Sequence, residues 1–126
     1  MPNVKVVFDR IDVHNDGEAL EKGKVYWKFS VNGTKVEERT SGNPMLVSSG
    51  SSIDLNSSRS VELANNQELV VNGFIAEKDK LTSGKDDTAS FERSYDRSEN
   101  WGDGVRTVRL TDSPLDCTLT YTIQAE

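Results

Sequence analysis

The sequence predicts an all-β chain folded as a single antiparallel β-sandwich of about eight strands. Three observations carry that prediction. Apolar residues alternate with polar ones in short runs, the period of a strand buried on one face. Turn-forming Gly, Asn, Asp, Pro and Ser punctuate the runs at short intervals. No stretch shows convincing helical periodicity. The 126 residues fit one domain, 1–126, around one core.

The elements follow in order. "VKVVFDRIDV" is rich in β-branched and aromatic residues and opens the chain as a strand. In "KVYWKFSVNGTKVEER", Val25, Trp27, Phe29 and Val31 share one face and Tyr26, Lys28 and Ser30 the other. Asn32-Gly33 then supplies a two-residue turn in which both central positions need positive φ, so residues 24–39 read as a hairpin. "TSGNPMLVSSGSS" reads as a loop. Residues 52–63 read as one bent strand, or as two short ones split at Asn56-Ser57-Ser58. Asn65-Asn66 marks a turn, and "QELVVNGFIAE" a strand in which Gly73 suggests a bulge. "TASFERSYD" and "VRTVRLTD" are strands joined by the turn-rich "RSENWGDG". The last strand sets Leu115, Cys117, Leu119, Tyr121 and Ile123 on one face, with Asp116, Thr118, Thr120 and Thr122 on the other.

Composition narrows the function. Hydrophobic residues make up 34% and charged residues 29%, with a net charge of −6, which argues against a general nucleic-acid binder, since phosphate binding wants a basic face. No run approaches the roughly eighteen apolar residues of a membrane-spanning helix. Residues 1–13 lack the charged-then-apolar layout of a secretory signal, which favours a cytoplasmic protein and leaves export as the alternative. The single Cys117 has no internal disulfide partner and reads as a small buried hydrophobe. One His and one Cys cannot build a zinc shell, and His14 reads as exposed. No nucleophile elbow, phosphate loop or EF-hand spacing occurs, so the chain reads as non-enzymatic.

"GFIAEKDKLTSGKDDTAS" carries the main functional signal: Glu77, Asp79, Asp86 and Asp87 close on one connection. If residues 52–63 form one strand and every strand reverses the last, the odd-to-even connections share one end of the sandwich. Asp12 and Asp16, around the first connection, then lie at the same end as the later carboxylates. Clustered carboxylates repel, and calcium answers them with a shell of six to eight oxygens. The plain alternative is that Lys22, Lys24, Lys78, Lys80 and Lys85 neutralise the same groups as surface pairs.

These residues resemble the C-two domain, a calcium- and membrane-binding β-sandwich. In that family a strand ends in two acidic residues one position apart, which Glu77 and Asp79 match, and a further Asp precedes the next strand, which Asp86 or Asp87 matches. Asp12 and Asp16 match the acidic residues of the first loop. The loop positions, after the first and fifth strands, resemble the family's permuted topology. The resemblance implies a C-two-like sandwich holding calcium through Asp12, Asp16, Glu77, Asp79, Asp86 and Asp87. It also implies contact with a protein partner or, with calcium bound, a membrane surface. Two other readings stand beside it. Free sheet edges would permit self-association as a metal-independent building block. Trp101 and Tyr95, if exposed, would stack on a glycan, whereas a buried Trp101 would plug one end of the sandwich.

Overall fold

A computed structural model of the chain describes residues 2–16, 23–78 and 86–125. Among these, nine strands follow one another: β1 (Asn3–Asn15), β2 (Gly23–Val31), β3 (Thr34–Arg39), β4 (Met45–Val47), β5 (Ser52–Glu62), β6 (Leu69–Glu77), β7 (Asp87–Tyr95), β8 (Gly104–Asp112) and β9 (Leu115–Ala125). They form two antiparallel sheets. The first has the order β5-β1-β9-β8; the second has the order β3-β2-β6-β7, with β4 also paired to β2. The alternation seen in sequence is the alternation of burial: Leu115, Cys117, Leu119, Tyr121 and Ile123 all face the core. Thr120, on the other face of β9, is buried as well.

Local chemistry explains the register. Asn32 (φ 46°) and Gly33 (φ 81°) take the positive φ values that the β2–β3 turn demands. Residues 52–62 stay one strand. The ladder steps from Phe8↔Ser57 to Arg10↔Asp54, and Asn56 takes up the extra residue in a left-handed conformation (φ 64°). The turn signal at Asn56-Ser57-Ser58 is therefore a bulge inside β5. The stretch read as loop between the second hairpin strand and β5 contains β4, three residues long. β3 pairs with Trp27–Val31 and β4 with Gly23–Val25, so the two are successive segments of one edge. Eight strands thus describe the sandwich once β3 and β4 are taken as one interrupted strand.

Four aromatic rings join the sheets. Phe8 of β1 stacks on Phe29 of β2 (5.4 Å between centroids, 22°). Phe29 meets Phe91 of β7 (6.1 Å), Phe91 meets Tyr121 of β9 (6.3 Å), and Tyr121 returns to Phe8 (6.1 Å). Gly73 lies between Phe29 and Phe91 in the ladder, and the register runs through it without a bulge. The expected bulge is absent because the glycine serves a close approach instead: a Cβ there would lie 2.1 Å from the Lys28 carbonyl oxygen and 2.7 Å from the Phe29 ring.

One corner of the sandwich is closed by polar groups. Glu37 of β3 accepts from the Trp27 indole (3.1 Å) and from the Ser57 hydroxyl, and Arg59 Nη1 donates to the Val31 carbonyl (2.5 Å). These side-chain contacts tie β5 to the other sheet at this corner. Buried Cys117 has its thiol pushed up to about 12 by desolvation and then by Asp116, so it has little thiolate at neutral pH.

Gly73→Ala forces a methyl group against backbone as well as ring, and its cost is expected near the upper end of overpacking, about 3 kcal/mol. That corresponds to a thermal midpoint lower by roughly 10 °C for a chain of this size. Calorimetry of the variant checks it; an unchanged midpoint would contradict the close approach.

Candidate binding site at the acidic loop end

Backbone pairing brings the two acidic connections to one end of the sandwich. β1 finishes at Asn15, opposite Asp116. Asp16 follows and is buried (4% exposed), packed against Gly23 at the start of β2 so closely that a Cβ on Gly23 would lie 2.4 Å from the Asp16 carbonyl oxygen. The Asp16 amide donates to the Ser49 hydroxyl (3.1 Å). Beyond Gly23, the Lys24 carbonyl accepts from the Lys78 amide (2.7 Å), and Val25 stands opposite Glu77, which stands opposite Asp87. The antiparallel parity read from sequence therefore holds, because β5 is one strand.

Strand alternation decides where each carboxylate points. Leu69, Val71 and Ile75 face the core, and Glu77 continues that face to the mouth between the sheets, where it is 4% exposed. Ala89 and Phe91 are buried, so Asp87 shares the inner face and meets Glu77 directly across the ladder. Like charges in such a pair are destabilising by themselves. Asp86 has turned to the outer side and accepts from the Tyr26 hydroxyl (2.5 Å). Asp12 lies between buried Ile11 and Val13 and so points to the outer face of the first sheet. There it accepts from Ser52 (2.5 Å) and Arg10 (3.2 Å), and the Ser52 bond, followed by Arg10, holds its carboxyl below the usual carboxylate range against partial burial. Asp79 lies outside the described residues. Among the described residues, no three His, Cys, Asp or Glu side chains are grouped as a metal ion would require.

Other polar groups at this end have structural partners. The Thr88 amide donates to Asp112 (2.8 Å), tying the start of β7 to the β8–β9 turn. The Lys78 ammonium donates to the Ser41 carbonyl (3.0 Å). Exposed His14 meets the Thr118 hydroxyl (2.8 Å). Leu46, 60% exposed on β4, is an apolar point at the same end, since β4 pairs with the start of β2.

The aromatic pair considered for glycan stacking is built into the opposite end. Trp101 is 3% exposed within a capped turn, Arg97–Gly102, whose Asp96 and Glu99 form a reciprocal capping box. Asn100 and Trp101 both adopt positive φ, which swings the indole into the core. The Tyr95 ring packs against Gly102, bears Arg106 over its face (5.5 Å), and its hydroxyl pairs with that of Tyr121 (2.7 Å). Ligand stacking on Trp101 is corrected accordingly, since its ring plugs the sandwich, while Tyr95 is half-buried against the core. Tyr26 was the residue sequence reasoning left without a role. Its only signal is an aromatic on the polar side of a strand, and its partner Asp86 is sixty positions away.

No protein-family model and no curated protein matches the chain. Solved structures do match in fold. A structure of the C2 (C-two) A domain of plant Extended Synaptotagmin 1 superposes with a TM-score of 0.57 at 8% identity, covering 98% of this chain and 93% of that one. A structure described as that of a C2 domain gives 0.56 at 12% identity, covering 100% and 99%. Human GIVD cytosolic phospholipase A2 gives 0.55 at 15% identity, covering 99% of this chain but 16% of that chain. No helix among the described residues is long and apolar enough to cross a membrane.

The Tyr26 phenol is pushed up to about 12, first by burial and then by its bond to Asp86. The folded state thus favours the neutral phenol. The stability this contributes is complete below the ordinary value of 10.0 and is lost as pH rises from there towards about 12. Urea midpoints measured across this window are expected to fall more steeply for the parent than for Tyr26→Phe; parallel curves would contradict the assignment. Together, the two sheets, their strand order and these superpositions give the chain a C2-like β-sandwich fold.

Proposed function

We propose that the chain is a non-catalytic binding module whose working end is the acidic one, and that it holds calcium between the β1–β2 and β6–β7 connections. The observation that supports this best is the placement of Glu77 directly opposite Asp87 on the inner face of the mouth, with buried Asp16 beside the start of β2. Carboxylates gathered in a half-buried mouth repel more strongly than in water, and a divalent cation relieves that repulsion. Asp16, Glu77 and Asp87 border the proposed site without themselves grouping as a metal shell, so the remaining oxygens would come from the two connections. Asp86, oriented by Tyr26, borders the same site, and Asp79 completes the shell. Asp12, held by Arg10 and Ser52 on the outer face, takes no part. Calcium in place would reduce the negative charge of this end beside the exposed Leu46, lowering the repulsion towards an anionic membrane surface or an acidic protein partner.

The thermal midpoint in excess chelator, in millimolar calcium and in millimolar magnesium tests this. Calcium at about 100 times its dissociation constant stabilises by about 2.7 kcal/mol. The midpoint is expected to rise by roughly 10 °C with calcium, much less with magnesium, and not at all in Asp79→Asn/Asp87→Asn. A midpoint indifferent to calcium would contradict the proposal and leave the lysine-balanced loop as the reading.

A further inference from the structure

The outer face of the second sheet carries a trough that the acidic end does not use. β2, β6 and β7 lie side by side there. The ladder sets Lys28 beside Phe74 beside Ser90, and two residues along each strand it sets Ser30 beside Asn72 beside Glu92. Between these rows Phe29 and Phe91 turn into the core and Gly73 has no side chain. Ser30, Asn72 and Ser90 are short, so the rows enclose an open depression of about 620 Å³.

Its wall is aromatic and fixed in orientation. Phe74 is half-buried, and its ring stands edge-on to Tyr26 (6.0 Å, 80°), which Asp86 anchors at 2.5 Å. Its charges cancel: Lys28 and Glu92 occupy diagonal corners. An apolar occupant would strip water from the hydroxyl and amide groups without replacing their hydrogen bonds. A phosphate or other anion would meet one lysine and one carboxylate, on a chain of net charge −6. A pyranose satisfies every feature, with an apolar C–H face for the ring and hydroxyls for the amide, the serines and the two charged groups.

We infer that this trough binds a neutral oligosaccharide, with one sugar ring lying on Phe74 and its hydroxyls on Asn72, Ser30 and Ser90. Binding here is independent of calcium at the acidic end, so the test is run in excess chelator and the two readings fail separately. The full chain is titrated by calorimetry and saturation-transfer NMR with the hexasaccharides of cellulose, xylan, starch, mannan and laminarin, each to about 5 mM. Saturable binding of at least one is expected, with affinity lowered about tenfold or more in Phe74→Ala. Should Phe74→Ala lower the thermal midpoint, Asn72→Ala carries the test with the same direction, since it removes polar contacts from the face and none from the core. Absence of binding across the panel, binding unmoved by either substitution, or binding only of heparin or phosphatidylserine vesicles would overturn the inference.

Discussion

The closed cycle of Phe8, Phe29, Phe91 and Tyr121 is the contact on which the rest of the molecule depends. Each sheet contributes two of the rings, and each ring touches one from its own sheet and one across the interface. Aromatic pairs of this geometry add about 0.5–1.5 kcal/mol apiece beyond the area they bury. Their positions also fix the relative register of β1, β2, β7 and β9, and Gly73 is the concession β6 makes to let Phe29 and Phe91 close over it. Once that register is set, what lies at each end of the sandwich follows from strand direction.

The two ends then diverge in character. One is closed by Trp101, Tyr95 and the capped turn over Arg97–Gly102, all in contact with the core. The other gathers the β1–β2, β4–β5 and β6–β7 connections and the β8–β9 turn, with Glu77 and Asp87 paired at its mouth. The same alternation that sends Glu77 inward sends Asp12 out to Arg10 and Ser52 on the far face of the other sheet. Carboxylates that look equivalent along the chain are separated by strand parity and bulges into groups with different partners.

Much of this was legible in the sequence. Val25, Trp27, Phe29 and Val31 announced a half-buried strand, and Asn32-Gly33 announced its turn, because both signals are local. The meeting of the acidic connections followed from counting reversals, which worked because Asn56 absorbs its extra residue in a bulge without ending β5. What escaped depended on distant pairing. β4 is only three residues long, and its existence is decided by the free length of β2. Tyr26 and Asp86 find each other only through the ladder, and the trough around Phe74 exists only when three strands stand side by side. Trp101 enters the core through two successive positive φ values that nothing short of the folded turn reveals.

As proposed above, strand direction makes one end of this C2-like sandwich a cation site. A calcium titration followed by amide NMR tests it most directly, because it reads position as well as binding. The account predicts saturable shifts at Asp16, Lys24, Lys78, Asp86 and Asp87 and across residues 79–85, with the amides of Asn65, Asn66 and Arg97–Gly102 silent. Shifts centred on the opposite end, or spectra unchanged at millimolar calcium, would contradict it.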